Sequence, residues 1–167
     1  MHVVHDTRGL PKAEAYQLVL EQVSALLEGE RDGLANASNT AALLYEALPD
    51  LNWVGFYFLR GGELVVGPFQ GKVACVRIAM GKGVCGTAAV ERRTVIVPDV
   101  NEYPGHIVCD AASQSEVVIP LVHQGRVLGV FDIDGSVRGR FDDVDAAGLE
   151  SVAALLLEGS DWDWLPR

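Results

Sequence analysis

Apolar residues in the first third of the chain recur at three- and four-residue steps, the spacing of one face of a helix. From Pro11 to Glu28 this face comprises Ala15, Leu18, Val19, Val23, Leu26 and Leu27. A proline in the first turn and the break at Gly29 to Asp32 bound this first helix. A second helix is predicted from Asp32 to Leu48, ended by Pro49, with an apolar stripe of Ala41, Leu44, Tyr45 and Leu48.

The middle of the chain has short β-branched and aromatic runs, which are typical of strands. Strands are predicted for residues 52–59, 63–69, 72–80 and 94–97, and for a hairpin formed by 116–122 and 127–134. The strand at 72–80 carries Cys75. A glycine-punctuated loop, 81–86, leads into a short helix from Thr87 to about Arg93, and 101–106 is a polar loop.

The end of the chain predicts one more helix, which begins near the acidic residues Asp142 and Asp143 and runs to about Glu158. The tail, DWDWLPR, is expected to pack back through its two tryptophans. The whole pattern predicts an α+β fold built on a central antiparallel sheet. We expect the N-terminal helices and the C-terminal helix to pack on one face of that sheet, and residues 1–167 to form one domain.

Composition narrows the classes of partner. The 167 residues are 49% hydrophobic, enough for a sizeable core. Thirteen basic against 23 acidic residues give a formal charge of -10, which argues against nucleic acid and anionic membranes as partners. The N-terminus lacks the apolar run of a signal peptide, and no run approaches the length of a membrane span. We therefore expect a cytoplasmic, soluble protein.

The stretch from Ile107 to Gly135 concentrates the candidate chemistry. Glu116 opens one apolar strand of the predicted hairpin, and the other strand carries Asp132 and Asp134. Residues two apart on a strand face the same side, so these two aspartates project together. A solvated face is the simplest explanation, because burying unpaired carboxylates has a large free-energy cost. The nearby Glu116 and the thiol of Cys109 favour a functional site instead.

Three cysteines, an odd number, indicate reactive or buried thiols more than a disulfide framework. Cys75, between Ala74 and Val76 on a predicted strand, could be only a small buried hydrophobe. Cys85 borders a helix start, where the helix dipole would favour a thiolate. Cys109 lies in a polar loop beside Asp110, which is a poor place to bury a hydrophobe. Of the three, Cys109 is the best candidate for a reacting group.

The loop Gly81 to Gly86 matches the pattern G-x-G-x-x-G of dinucleotide-binding proteins. The helix that follows is predicted to have only about two turns, which is short for a parallel crossover. Asp99 follows Gly86 by 13 residues, against the roughly 20 expected for a ribose-binding acid. We therefore set this interpretation aside, but backbone N–H groups at the helix start could still hold a small carboxylate.

Metal-binding patterns are weak. Asp132-Ile-Asp134-Gly135 resembles the start of a calcium loop, but the glycine is at the fourth position instead of the sixth, and Asp143 stands where glutamate is expected. The three cysteines and His106 lack a C-x-x-C spacing for zinc. No metal and no cofactor are predicted.

Several segments, in their order and spacing, resemble the free methionine-(R)-sulfoxide reductases, which are built on the GAF fold. They are NWVGFYFL, GPFQGKVACVRI, GKGVCGTAA, PGHIVCD, SEVVIPL and GVFDIDG. The resemblance is densest from Asn52 to about Leu157, and the three cysteines make it specific because a generic GAF domain does not require them. Val73 stands where proline is common in the family, a difference that touches no chemical role.

The resemblance implies a role for each residue of the site. Cys109 would be the catalytic nucleophile, Cys75 the usual resolving thiol and Cys85 an alternative or accessory thiol. The substrate pocket would be lined by Trp53, Tyr57, Glu116, Asp132 and Asp134. The substrate would be free methionine-(R)-sulfoxide, and the partner that recycles the enzyme would be thioredoxin. The sequence is compatible with a homodimer.

The residues fit that chemistry. A thiolate attacks the sulfoxide sulfur and becomes a sulfenic acid, which a second thiol converts to a disulfide. Three clustered carboxylates cannot all ionise cheaply, so one of them can hold the proton that the departing oxygen needs. The remaining negative charge suits the α-ammonium of a free amino acid. Two other functions remain open at this point: a non-catalytic GAF sensor of a small molecule, and a thiol redox switch without a substrate.

Overall fold

The structure, a computed structural model, describes residues 3–165. Residues 1–2 and 166–167, the ends of the predicted domain and of the predicted tail, lie outside the described residues. The helices are α1 (Lys12–Leu27), α2 (Gly33–Ala47), α3 (Gly83–Glu91) and α4 (Asp143–Gly159). The strands are β1 (Leu51–Arg60), β2 (Glu63–Gly71), β3 (Arg77–Ala79), β4 (Val95–Val97), β5 (Ser115–His123) and β6 (Arg126–Gly135). A short 3-10 turn covers Val100–Glu102.

The six strands form one antiparallel sheet in the order β3-β2-β1-β6-β5-β4. Strands β1 and β6 are central, and both of their faces are covered. On β1, Val54, Phe56 and Phe58 pack against α1, α2 and α4, whereas Trp53 and Tyr57 point to the opposite face, where α3 lies. The α+β prediction, with three helices on one face, is therefore confirmed.

The helix α4 begins with a capping box. The Asp142 carboxylate accepts hydrogen bonds from the backbone N–H groups of Val144 (2.9 Å) and Asp145 (3.1 Å). The Asp145 carboxylate accepts from the Asp142 N–H in return (2.9 Å). Lys12, at the start of α1, donates to Asp142 (2.8 Å) and also to Asp145. The two helices are thus joined at their N-terminal ends by one ion cluster.

Replacing Asp142 with alanine is expected to lower the free energy of unfolding by about 1 kcal/mol, because two helix N–H groups lose their acceptor. The hydrogen bond from Lys12 lowers the pKa of Asp142 to about 2. A depressed pKa stabilises the fold above the unfolded value, so this contribution is complete above about pH 4 and is lost as the pH falls towards 2. Urea unfolding at pH 7 and pH 3 measures both effects, with the exposed Asp163→Ala as the control. An equal loss of unfolding free energy in Asp142→Ala and Asp163→Ala would contradict the capping role of Asp142.

Three details of the predicted elements are wrong. The strand predicted for 72–80 is only Arg77–Ala79, because β2 pairs with it over three residues, so Cys75 lies in a loop. Helix α3 begins at Gly83 instead of Thr87, which places Cys85 inside its first turn. Tyr45 does not belong to the buried stripe of α2: its side chain is exposed, and the buried face continues through Asn36 and Thr40 instead.

The two tryptophans of the C-terminal tail pack back as predicted. The Trp162 ring is buried in the core beside Phe58, and its Nε1 donates to the Leu157 carbonyl (3.1 Å). Trp164 contacts the edge of Phe58 and lies under the Arg60 guanidinium. Among residues 3–165, no helix is both long enough and apolar enough to cross a membrane.

Candidate active site

The hairpin of β5 and β6 brings the three acids to one face of the sheet. Glu116 is directly opposite Asp134, and Val118 is directly opposite Asp132. Directly opposed residues of an antiparallel pair project on the same side, so the acids form a cluster. Strand β1 lies on the other side of β6, where Gly55 is opposite Asp132 and the place of a side chain on Gly55 is taken by Phe69 and the Trp53 ring. The predicted shared face of Asp132 and Asp134 is therefore found.

Two of the three cysteines are joined in a disulfide that links distant segments. Cys75, in the loop after β2, is bonded to Cys109, in the loop before β5, with their Cα atoms 5.6 Å apart. Tyr57 supports this arrangement from β1, because its hydroxyl donates to the Cys75 carbonyl (3.2 Å). Cys85 is the one cysteine that remains a thiol, and it is buried.

A polar network holds the loop that carries Cys109. The Asn52 amide donates to Asp110 Oδ2 (3.2 Å) and to Ser113 Oγ (2.9 Å). The Ala112 N–H donates to Asp110 Oδ1 (2.9 Å), and this bond, more than the others, lowers the pKa of Asp110. Lys72, on the segment of the other half-cystine, lies 3.6 Å from Asp110. The two cysteine loops are thus held together by polar contacts as well as by the disulfide.

Burial dominates the protonation of the acids. It raises the pKa of Glu116, Asp132 and Asp134 well above the ordinary value, and the charge of a neighbouring acid raises each one further. Within residues 3–165, Asp132 Oδ1 is buried without a hydrogen-bond partner. The cluster can therefore hold a proton above the pH at which an ordinary carboxyl ionises, and it can offer an acceptor to a ligand.

Cys85 belongs to this cluster. Its Sγ lies 3.9 Å from Glu116 Oε1. Burial first, then the charges of Asp132 and Glu116, raise the pKa of this thiol. The expectation that the helix dipole would favour a Cys85 thiolate is therefore wrong, because loss of solvent and two nearby carboxylates outweigh the dipole.

A small pocket of about 30 Å³, with room for about two water molecules, opens between the sheet face, α3 and the cysteine loops. The predicted residues that line it are Tyr57, Cys85, Cys109, Glu116, Asp132 and Asp134. The structure brings all of these together.

Trp53 lies behind this pocket instead of on its wall. Its ring stacks on Tyr57 and Phe69, with ring centres 5.8 and 5.2 Å apart, and its Nε1 donates to the Lys72 carbonyl (3.1 Å). The side chain is buried. In this disulfide-bonded structure Trp53 supports Tyr57 and the Lys72 segment, and its contact with a ligand stays a prediction.

The sequence suggested His106 only as a weak zinc-ligand candidate, but the structure places this residue on the pocket wall. Its Nε2 lies 3.4 Å from Glu116 Oε2, and burial lowers the pKa of the imidazole. The signal available was its position three residues before Cys109. Other lining residues that carried no signal are Ile78, Ile107 and Ser113.

The glycine loop has a structural explanation. Gly81 and Gly83 have φ values of +75° and +60°, in the left-handed region that glycine adopts without strain. A side chain on Gly86 would meet the Ala79 carbonyl at 2.5 Å. The glycines therefore allow the chain to turn sharply from β3 into α3. As a result, the pocket is lined at this point by Lys82, Gly83 and Val84.

Three side chains of this cluster are close enough together to coordinate one metal ion. One ligand atom each from Cys85, Glu116 and Asp132 lie within 4.8 Å of one another. This set differs from the cysteine and histidine set weighed from the sequence, because Cys75 and Cys109 are bonded to each other.

Comparisons with known proteins agree with this geometry. Residues 35–157 match the family model described as GAF domain. The chain is 52% identical over 145 residues to the free methionine-R-sulfoxide reductase of Escherichia coli strain K12, covering 87% of this chain and 88% of that protein.

Two solved structures have closely similar folds. A putative GAF sensor protein from Burkholderia vietnamiensis has a TM-score of 0.87 and 56% identity, covering 90% of this chain and 96% of its own. The free methionine-R-sulfoxide reductase from Neisseria meningitidis, solved in complex with its substrate, has a TM-score of 0.90 and 43% identity, covering 95% of each chain.

The sheet, its helices and the thiol-and-carboxylate pocket define a GAF-domain protein with a cysteine-based site. The sequence identity to its relatives, and the share of each chain that is aligned, assign the protein to one family within that class. The chain belongs to the free methionine-(R)-sulfoxide reductase family.

Proposed function

We propose that this protein reduces free L-methionine (R)-S-oxide to L-methionine, with Cys109 as the nucleophile and Cys75 as the resolving thiol. The observation that carries the proposal is that the Cys75–Cys109 disulfide adjoins the same pocket as three buried carboxylates. A redox-active thiol and a proton source therefore meet at one small cavity. The whole chain, 1–167, acts as one GAF domain.

The reaction transfers one oxygen and two electrons. The Cys109 thiolate attacks the sulfoxide sulfur, the oxygen passes to the cysteine as it is protonated, and methionine leaves. Cys109 is then a sulfenic acid. The Cys75 thiol attacks that sulfur, water is lost, and the disulfide forms. The Cα separation of 5.6 Å is within the range that a disulfide spans.

The pocket would recognise a free amino acid at both ends of its polar backbone. The raised pKa values of Glu116, Asp132 and Asp134 support roles in which one carboxyl supplies the proton and the remaining charge pairs with the α-ammonium. The substrate carboxylate would lie at the N-terminus of α3, beside Lys82 and Gly83. A methionine inside a peptide has neither charged group, so the free amino acid is preferred. Tyr57 and Trp53 are assigned to the apolar side of the substrate.

Recycling requires an external dithiol, and we assign this role to thioredoxin in the cytoplasm, where thiols are kept reduced. A homodimer is compatible with the proposal, and sedimentation of the reduced protein would give its mass.

Thioredoxin-coupled oxidation of NADPH tests the substrate. We expect turnover with the free R epimer of methionine sulfoxide and less than about 1% of that rate with the free S epimer or with a peptide-bound sulfoxide. That ratio is about 3 kcal/mol of discrimination, within reach of a site that leaves buried polar groups unpaired around the wrong substrate. No turnover of any of the three by folded, reduced protein would favour the sensor. Disulfide formation with peroxide but not with sulfoxide would favour the redox switch.

A further inference from the structure

Four exposed hydrophobic residues lie within two positions of the disulfide-bonded cysteines, and we name them the apolar collar: Val73, Val76, Ile107 and Val108. Val73 is 87% exposed, Val108 68% and Val76 64%, and Ile107 is exposed to a smaller extent. Each belongs to one of the two loops that the disulfide joins. The collar therefore borders the bond that must be reduced in every catalytic cycle.

The collar is a local concentration and not a general property of the surface. Among residues 3–165, the exposed large hydrophobics outside it are scattered, at positions 3, 10, 34, 45, 90, 137, 144 and 164. Collar residues are at most two positions from a half-cystine, which is about 7 Å of extended chain. The half-cystine Cα atoms are themselves only 5.6 Å apart. These side chains are thus gathered at one place on the surface, the kind of apolar patch that marks a protein contact.

The fold does not explain this exposure. Val73 and Val76 lie on the segment between β2 and β3, and Val108 lies between the 3-10 turn and β5. Their side chains are absent from both core clusters of the described residues. An exposed valine has an unfavourable free energy of hydration, and at these places it adds nothing to the core. Contact with a partner therefore explains the presence of these residues better than packing does.

The surrounding charge indicates the kind of partner. The segment from Lys72 to Lys82 contains three basic residues, which are Lys72, Arg77 and Lys82, and no acidic residue. The whole chain, in contrast, has a formal charge of -10. Lys72 and Arg77 also reach Asp110 and Glu63 at 3.6 and 3.4 Å, but Lys82 has no ion-pair partner among the described residues. A partner with an apolar centre and an acidic group on the side that faces Lys82 would be complementary to this surface.

We propose that the apolar collar is the docking surface for a protein dithiol reductant of the thioredoxin class. The proposal rests on the proposed function, because it names the partner of the same disulfide. A thiolate of the docked reductant attacks one sulfur of the Cys75–Cys109 bond and forms a mixed disulfide, and the other cysteine leaves as a thiolate. The second thiol of the reductant then attacks the mixed disulfide. The two electrons reach the cysteine pair, and the reductant leaves as its own disulfide.

The test compares two reductants on one disulfide and needs no sulfoxide substrate. The triple variant Val73→Ser/Val76→Ser/Val108→Ser is oxidised to the disulfide, and its reduction is followed by thiol alkylation and mass spectrometry. One reaction contains a subsaturating amount of reduced bacterial thioredoxin of acidic pI, and the other contains dithiothreitol. The matched control is Val90→Ser/Val137→Ser/Val144→Ser, which removes three exposed valines distant in sequence from the half-cystines.

Loss of the collar should slow reduction by thioredoxin about tenfold, because interface side chains that matter contribute at least that factor together. Reduction by dithiothreitol should stay within about twofold of the wild type, since a small molecule needs no docking surface. An equal fall with both reductants, no fall with either, or the same fall in the control would overturn the proposal. Failure of the proposed function would give a different result. The protein would then leave methionine sulfoxide unchanged, while the reduction of its disulfide by thioredoxin would still depend on the collar.

Discussion

Cys109→Ser is expected to lower the turnover of free methionine-(R)-sulfoxide at least about 1,000-fold, the scale on which enzymes lose activity with their nucleophile. A serine hydroxyl is a far weaker nucleophile than a thiolate and cannot accept the sulfoxide oxygen as a sulfenic acid. Folding should be little affected, because Cys109 lies in a loop of intermediate exposure. The coupled NADPH assay measures the loss, and thermal unfolding of the reduced proteins checks the fold.

Single-turnover measurements separate the nucleophile from the resolving thiol. Reduced Cys75→Ser without any reductant should release about one equivalent of methionine and then stop with Cys109 as a sulfenic acid. Cys109→Ser should release none. Cys85→Ser should still form the Cys75–Cys109 disulfide when it meets the substrate, since that pair is already bonded without it. One equivalent of methionine from Cys109→Ser would overturn the assignment.

The pattern of apolar residues was sufficient to predict the parts of the fold that depend on local periodicity. Helices α1, α2 and α4 each bury one face at regular spacing, and the hairpin of β5 and β6 has a short turn at Gln124 and Gly125. The common face of Asp132 and Asp134 follows from the two-residue period of a strand alone. Glu116 joins them because a β-bulge between Leu121 and Val122 shifts the register that the turn sets, which alone would place Glu116 opposite Ile133 on the other face.

The less predictable features depend on contacts between segments distant in sequence. The length of β3 is set by how far β2 extends beside it, so residues 72–76 could be read as strand although they form a loop. The pairing of Cys75 with Cys109, and not with Cys85, depends on how two loops meet across the sheet. The raised pKa of Cys85 depends on carboxylates that are about 31 and 47 residues away in sequence. The candidate site was therefore predictable in its residue types and in the raised pKa values of its acids, but not in the raised pKa of Cys85.

Asp132→Asn is expected to lower kcat/KM for free methionine-(R)-sulfoxide about 100-fold or more and to make the protein more stable at the same time. The loss of activity follows from removing a carboxyl that can donate a proton or pair with an ammonium, a contribution of about 10²–10⁴. The gain in stability, about 1 kcal/mol at pH 7, follows because burial and the charge of Glu116 make an ionised Asp132 costly. The exposed Asp163→Asn is the matched control and should change neither quantity.

The pH dependence of that stability gain has a definite sign. A carboxyl whose pKa is raised by folding holds its proton in the native state while the unfolded chain releases it, so it destabilises the fold increasingly above its unfolded pKa. The difference between Asp132→Asn and wild type should therefore be absent below about pH 4 and should grow as the pH rises towards 7. This is the opposite of the effect at Asp142, where the wild-type advantage is lost on acidification. Urea unfolding across this range measures both. A stability gain without loss of activity would mean that Asp132 is a structural burden instead of part of the chemistry, whereas the two changes together would mean that the fold tolerates a costly buried acid because turnover depends on it.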